Sequence, residues 1–320
     1  MQLEKEQLLT APLPRMAGKL TFMRSRTADI LELTADNLSV LGIPLEKNCG
    51  ENTGCRYGPL ALRETSVYYG WFNNPQFKSS PVDVVTRTQI DTSSINNRLV
   101  DIGDIPIAGL QKINAEERIC RTLQMLQKQE CPCIILGGDE TIVFPTVKGM
   151  SHNNRIGFIQ IGSSTFSEKS MRRLFLEGIL NPSNTIFVSP VMFHTKEFVS
   201  EFKNGGGIII SSSEMRNSYS NYSNMFYQNI SRVDIVVAHM DLSALDSSIH
   251  GMVEVPNFNG LSLREIQEIL IALGQIPLAA LIITGLNPTI NGLGIVKIGQ
   301  RLLVTALLKY IYARLGLTKN

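Results

Sequence analysis

The chain has 320 residues, of which 43% are hydrophobic and 18% are charged, so it is long enough to bury a large core. Its 30 basic and 28 acidic residues leave a formal net charge of +2, and this near balance argues against a dedicated nucleic-acid-binding protein. No apolar run reaches the ~18 residues of a membrane-spanning helix, and the N-terminus lacks the pattern of a secretory signal. We therefore expect a well-packed cytoplasmic protein that does not insert into membranes and whose five cysteines are free thiols.

Short runs rich in Val and Ile alternate with helix-like segments, which is typical of a parallel sheet with crossover helices. In chain order the predicted strands are Leu38–Ile43, Leu99–Ile102, Cys133–Leu136, Arg155–Ile161, Thr185–Val188, Gly207–Ile210, Asp234–Ala238 and Leu278–Ile283. The predicted helices include Asn114–Glu130, a helix that opens with a Ser262/Glu265 capping box, and Gln300–Leu315. The fold class is therefore α/β, with residues 1–36 as an N-terminal extension and residues 37–320 as a single domain. The sheet is expected to start after Asp36.

Three polar loops follow predicted strands, at the positions where open α/β sheets usually bind their ligands. Each loop alone is also consistent with a turn or a helix cap, but the three together favour a functional site. In particular, Ser163 and Ser164 fit a helix cap, and His239 fits a strand-end histidine bound by the backbone. The candidate residues of the three loops are Asp139, Glu140, Ser163, Ser164, His239, Asp241, Ser243 and Asp246.

Six short motifs follow one another in a recognisable order from about Leu38 to the C-terminus. They are Gly42-Ile43-Pro44, Gly54–Pro59 with Leu62-Arg63, Asp101–Asp104, Gly137–Asp139, Asp241–Asp246 with Gly260–Glu265, and Asn287–Thr289. In this order and spacing the sequence resembles the ureohydrolases, the family of arginase and agmatinase. The resemblance implies a three-layer α-β-α fold with a mostly parallel central sheet, and a homo-oligomer that is a trimer or a hexamer.

The resemblance also implies a metal site, because ureohydrolases hold two Mn²⁺ ions with four Asp and two His side chains. At the matching positions this chain has Glu140, Gly162, Ser164, Phe166, Asp241 and Ser243, so Asp241 alone is unchanged and Glu140 is a candidate substitute. Arginases also bind substrate through an acidic residue where this chain has Gly285. A further family histidine has no counterpart in Ser167–Met171.

These losses predict that no binuclear manganese cofactor is bound, and a metal is what lowers the pKa of water from 15.7 to about 7 in such sites. The cleft then binds a small cationic ligand for regulation, or is a vestige in a protein that binds a partner. An alternative is a metal-independent enzyme, with Glu140 or His239 as the acid–base group and Ser163 or Ser164 as the nucleophile or hydrogen-bond donor. A weak mononuclear metallohydrolase is a further alternative. The candidate catalytic residues are Glu140, His239 and Asp241, and the candidate pocket residues are Asp139, Ser163, Ser164, Ser243 and Asp246.

Overall fold

A computed structural model describes residues 20–47, 53–73, 82–83, 88–91, 95–163, 169–188, 195–217, 222–230, 233–248, 251–253, 257–290 and 295–319. Its centre is a nine-stranded parallel sheet. The strands are β1 (Arg26–Thr27), β2 (Leu38–Ile43), β5 (Leu99–Asp104), β6 (Cys133–Gly137), β7 (Ile156–Ile161), β8 (Thr185–Val188), β9 (Ile208–Ile210), β10 (Ile235–Asp241) and β11 (Leu278–Thr284). Their order is β1-β5-β2-β6-β11-β10-β7-β8-β9. A second, antiparallel sheet contains β3 (Val82–Asp83), β4 (Thr88–Ile90) and β12 (Thr318–Lys319).

Helices cover both faces of the large sheet and bury its apolar side chains. They are α1 (Gly58–Ser66), α2 (Ile95–Arg98), α3 (Lys112–Lys128), α4 (Val143–Met150), α5 (Lys169–Leu176), α6 (Lys196–Asn204), α7 (Ser212–Asn217), α8 (Tyr222–Asn229), α9 (Leu263–Gln275) and α10 (Ile295–Leu315). One core cluster joins α1, α8, α9 and α10 to one face of the sheet, and a second joins α3–α6 to the other. The predicted three-layer α/β architecture with a parallel central sheet is therefore confirmed.

All eight strands that the sequence pattern predicts are present in the nine-stranded sheet, with ends that differ by a few residues. The capping box is also present: the Ser262 hydroxyl accepts from the Glu265 amide, and the Glu265 carboxylate accepts from the Ser262 amide at 2.7 Å. The difference that matters lies in β10, which continues to Asp241 instead of ending at Ala238. As a result His239 lies inside a strand and not in the loop that follows it.

The prediction that the sheet starts after Asp36 is wrong. Strand β1 pairs in parallel with β5 at the edge of the sheet, and Phe22 and Met23 before it are fully buried in the core. A two-residue strand of Arg and Thr carries no hydrophobic periodicity, so the sequence gives no signal for it. The division at residue 36 therefore does not separate the sheet from the segment that precedes it.

Two other expectations can be compared with the described residues. The four cysteines within the described ranges are free thiols: Cys55, Cys120, Cys131 and Cys133. The fifth, Cys49, lies outside these ranges. Within the same ranges, no helix is long and apolar enough to cross a membrane.

Candidate functional site

The four central strands β6, β11, β10 and β7 are neighbours, so their carboxyl ends bring the predicted loops together. The amide of Gly285, just after β11, donates to the carbonyl of Gly138 at 3.0 Å. Gly285 has φ +86, and a Cβ at this position would lie 3.3 Å from Oδ1 of Asp241. Gly285 is thus the point where the loop with Gly138 and the end of β10 meet, at the carboxyl ends of the parallel strands.

Asp139 is buried and accepts hydrogen bonds from neutral donors. Its Oδ1 accepts from the amide of Thr141 at 3.0 Å and from the Thr141 hydroxyl, so it caps the short 3-10 helix Glu140–Ile142. Its Oδ2 accepts from the backbone amide of Lys47 at 2.6 Å. Glu140 follows at the start of the helix, where its carbonyl accepts from the Ser170 hydroxyl at 3.0 Å and its Oε2 is buried.

Asp241 is grouped with two of the predicted serines. Its Oδ1 accepts from the amide of Ser243 at 2.7 Å, and burial raises the pKa of the Asp241 carboxyl. The hydroxyl of Ser163, at the end of β7, donates to the hydroxyl of Ser243 at 2.8 Å. Ser164 and Phe166 lie outside the described residues, so their predicted positions in the site stay predictions.

His239 is fully buried, and side chains from the two neighbouring strands contact both of its ring nitrogens. Nδ1 lies 2.7 Å from Oε1 of Gln160, and Nε2 lies 2.7 Å from Oγ1 of Thr284. Burial lowers the pKa of His239 to about 3, so the ring is neutral at physiological pH. This geometry favours the structural interpretation of His239, although its partners are side chains and not the backbone.

Gln160 and Thr284 were not singled out from the sequence. Both are buried in apolar strands, and Gln160 stands opposite His239 in the register of β7 and β10. The Nε2 of Gln160 is buried without a hydrogen-bond partner in the described structure. A polar residue inside an otherwise apolar strand is the available signal, and it becomes informative once the neighbouring strands are known.

Asp246 has the role of a turn residue. Its Oδ1 accepts from the amide of Ser248 at 2.9 Å and from the Ser248 hydroxyl, and these bonds lower the pKa of the Asp246 carboxyl. Its backbone amide donates to the carbonyl of Leu261 at 3.0 Å. These contacts favour a local turn over a place in the pocket.

The motif Asp101–Asp104 forms an ion cluster with Arg63 of α1. The Nε and Nη2 atoms of Arg63 donate to the two Asp101 oxygens at 2.8 and 3.0 Å, and Nη1 donates to Asp104 at 2.5 Å. The amide of Phe22 also donates to Asp101, at 2.7 Å. The cluster borders a cleft of about 280 Å³ that is also lined by Leu20, Leu60 and Ile102.

Two further motifs contact each other at the carboxyl edge of the sheet. The Glu46 carboxylate accepts from the amides of Gly54 and Cys55 at 2.6 and 2.7 Å, which fixes the loop before α1. The Thr289 hydroxyl lies 2.9 Å from the Thr53 carbonyl oxygen and 2.7 Å from Oδ1 of Asn287. The opening motif and the late Asn-Pro motif therefore form one rim, which positions them as structural parts of the site.

The side chains at the positions where the family has its metal ligands do not fit a pair of manganese ions. Gly162 offers no side-chain donor, and the hydroxyl at Ser243 is neutral and bound to another hydroxyl, whereas Mn²⁺ sites are built from charged oxygen and imidazole ligands. Asp139 has both oxygens engaged by backbone and hydroxyl donors. Across the ranges that the structure describes, no group of three or more His, Cys, Asp or Glu side chains is arranged to hold a metal.

Comparison with known families defines the class of protein. The sequence model of the Arginase family matches residues 36–308, and the chain therefore belongs to this family. The family resemblance that the sequence motifs predicted is thus confirmed.

Individual relatives are distant. Human mitochondrial guanidino acid hydrolase is 25% identical over 126 residues, which are 39% of this chain and 32% of that protein. Guanidinobutyrase of Pseudomonas aeruginosa is 26% identical over 151 residues, which are 47% of this chain and 43% of that protein. The chain thus spans less than half the length of these relatives.

Solved structures share the fold along almost the whole chain. Proclavaminate amidino hydrolase from Streptomyces clavuligerus has a TM-score of 0.75 at 18% identity and covers 95% of this chain and 100% of its own. Formimidoylglutamase from Bacillus subtilis has a TM-score of 0.76 at 18% identity and covers 98% of this chain and 99% of its own. At such low identity these similarities establish the fold alone.

Proposed function

We propose that this chain is an arginase-family pseudoenzyme that does not hydrolyse guanidino compounds by a binuclear manganese mechanism. The observation that carries the proposal is the set of side chains that stand at the family's metal-ligand positions, at the carboxyl edge of the sheet. Gly162 and Ser243 stand at two family ligand positions, and the Ser243 hydroxyl accepts from Ser163. Without a bound metal the attacking water keeps a pKa near 15.7, so the nucleophile is essentially absent at neutral pH.

We further propose that the cleft binds a small cationic amine or guanidine as a regulatory ligand. Asp139 and Glu140 follow β6 and Asp241 ends β10, two strands separated only by β11, and burial already disfavours the charged form of Asp241. A cation placed among these carboxylates would stabilise their ionised forms. Family membership supports a homo-oligomer, a trimer or hexamer, which light scattering of the purified chain would test.

The metal-independent enzyme finds less support. His239, which with Glu140 is one of its two candidate acid–base groups, is fully buried, has both nitrogens engaged and has a pKa of about 3. Ser163 donates its hydroxyl proton to Ser243, which is not a base. A weak mononuclear metallohydrolase would need Asp241 and Glu140 to hold one cation with few further ligands.

Metal content and hydrolysis test the first proposal. Protein purified with Mn²⁺ is expected to contain well under one metal per chain by elemental analysis, and to release no urea or ammonia from agmatine, arginine or 4-guanidinobutyrate. Two metals per chain together with hydrolysis would refute it. The matched control restores the family ligands through Glu140→His, Gly162→Asp, Ser164→His, Phe166→Asp and Ser243→Asp, and is expected to gain metal.

A thermal-shift series tests the ligand. A ligand that binds the native state at 100 times its Kd stabilises that state by about 2.7 kcal/mol, so agmatine, arginine, guanidine or a polyamine is expected to raise Tm. The Asp241→Asn variant is expected to lose that shift. No shift with any of these compounds would leave the vestigial cleft of a partner-binding protein as the better description.

A further inference from the structure

The cleft beside the Arg63 cluster (the Asp104 cleft) lies at the carboxyl ends of the edge strand β1 and its neighbour β5. Thr27 ends β1 and Asp104 ends β5, and both residues line this cleft, which has a volume of about 280 Å³. In the sheet, β2 separates β5 from β6, so the Asp104 cleft is distinct from the family's metal-ligand positions. Open α/β sheets usually bind ligands at the carboxyl ends of their strands, and the Asp104 cleft is on that side.

Part of the lining of the Asp104 cleft is apolar and still open to solvent. Leu20 and Leu60 are 37% and 46% exposed, and Ile102 is half-buried. Covering such surface with an apolar group removes it from water and favours binding. Small-molecule sites usually have volumes of about 300–1,000 Å³, so a cleft of this size suits a small ligand with an apolar body.

The polar part of the lining has a net negative charge, because one arginine is combined with two carboxylates there. The side chains of Arg63 and Asp101 are only 6% and 1% exposed, and Nε and Nη2 of Arg63 donate to both Asp101 oxygens. Asp104 accepts from Nη1 of Arg63 through Oδ1, yet its side chain is 42% exposed. The charge that the cleft presents to solvent is therefore the Asp104 carboxylate, and its complement is a cation.

We propose that the Asp104 cleft binds a small organic monocation, an ammonium group on a short apolar chain. The ammonium donates to the Asp104 carboxylate, and the chain covers Leu20 and Leu60. The net negative lining disfavours an anion of the same shape. The inference is independent of the proposed function, whose ligand binds among the carboxylates around Asp241.

Hexylamine, hexanol and hexanoate test the proposal, because they share one alkyl chain and differ in charge. Hexylammonium is expected to bind the full chain with a Kd on the order of 1 mM, since so small a ligand makes few contacts. Hexanol should bind at least about fivefold more weakly, because a hydrogen bond between charged groups is stronger than one from a neutral hydroxyl. Hexanoate should not bind. A titration followed by ligand-detected NMR measures all three affinities.

Asp104→Asn removes the charge and keeps the size of the side chain and an acceptor for Arg63. It should weaken hexylammonium binding at least about fivefold and leave hexanol binding unchanged. Asp234→Asn is the matched control, because the Asp234 side chain is also paired with an arginine and is 40% exposed. This control should bind hexylammonium as the wild type does.

A second variant places a cation in the cleft itself. Leu60 is 46% exposed, so Leu60→Lys is expected to fold and to abolish hexylammonium binding by charge repulsion. Leu176 at the end of α5 is 74% exposed and does not line the cleft, and Leu176→Lys should retain the binding.

The outcomes that would overturn the proposal are distinct from those that concern the proposed function. Equal affinities for hexylammonium and hexanol, no binding of hexylammonium, or binding lost in Asp241→Asn and kept in Asp104→Asn would each overturn it. If Asp104→Asn does not fold, the lysine variants decide: loss of binding in Leu60→Lys alone supports the proposal, and loss in both or in neither overturns it. A failure of agmatine to bind would count against the proposed function only.

Discussion

His239 illustrates how burial sets the behaviour of a single residue. Its pKa is about 3 in the folded chain because of burial, against about 6.5 in an unfolded chain. Between these values the unfolded state binds a proton that the native state does not, so stability is lost as pH falls through this window and is fully present above it. From this group alone we expect a loss of about 2 kcal/mol between pH 7 and pH 5.

Urea unfolding at pH 7 and pH 5 provides the measurement, with His239→Gln compared against the wild type. The variant lacks the titrating ring and should lose less stability on acidification. His152, which is exposed, gives the control, and His152→Gln should retain the wild-type pH dependence. An identical acid sensitivity in His239→Gln would show that another group is responsible.

The same residue shows what sequence alone could reach at this scale. A structural role for His239 was one of the interpretations made from the sequence. The predicted strand ended at Ala238, however, because a polar side chain after an apolar run indicates the end of a strand. Its partners Gln160 and Thr284 lie on β7 and β11, which are far from it in sequence and adjacent in the sheet. Periodicity contains no information on strand order, so this network could not be predicted.

Among the elements, the contact between the loops after β2 and β6 depends on one glycine. A Cβ at Gly138 would lie 1.8 Å from the carbonyl oxygen of Leu45, and a backbone atom cannot move aside as a flexible side chain can. Gly138→Ala is therefore expected to destabilise the chain by about 2–3 kcal/mol, at the upper end of overpacking substitutions. Denaturant unfolding measures this change.

Gly157 in β7 provides the comparison. A Cβ there would lie 3.0 Å from a methyl carbon of Val233, a side chain that can adjust. Gly157→Ala is expected to cost less than about 1 kcal/mol, since small shifts of neighbouring side chains relieve such contacts. Equal costs at the two positions would contradict the special role of the Gly138 contact.

Elements were the level at which the sequence was most informative. Strands such as β2, β6 and β8 are buried throughout and mostly apolar because helices cover both sheet faces, and this gives a strong local signal. The signal is missing in β1, which depends on hydrogen bonds to β5, a strand that is distant in sequence and adjacent in the sheet. Local pattern thus predicts elements that bury apolar side chains, and not those held by polar contacts.

For the molecule as a whole, the Arg63 cluster joins the N-terminal segment (Leu20–Thr27) to the sheet. Arg63 and Asp101 are 5% and 1% exposed, and Asp101 also accepts from the Phe22 amide. Arg63→Met leaves the Asp101 charge buried without its guanidinium partner, which should cost about 3–5 kcal/mol. Hydrogen exchange is expected to speed up first in the N-terminal segment.

The exposed pair Arg155–Asp234 is the control for this prediction, with Nη2 of Arg155 3.0 Å from Oδ1 of Asp234. Arg155→Met should leave both stability and the exchange of the N-terminal segment nearly unchanged, because exposed pairs contribute little. Uniformly faster exchange across the sheet in Arg63→Met would argue against a local attachment.

Main-chain hydrogen bonds hold the segments of the candidate site against one another. Gly285 bonds to Gly138, and Gly138 and Asp139 bond to the segment after β2. The form of the cleft is therefore inherited separately from the side chains that point into it. In evolutionary terms, a lineage could exchange ligand residues one at a time without first losing the fold, so the architecture can outlast its original chemistry.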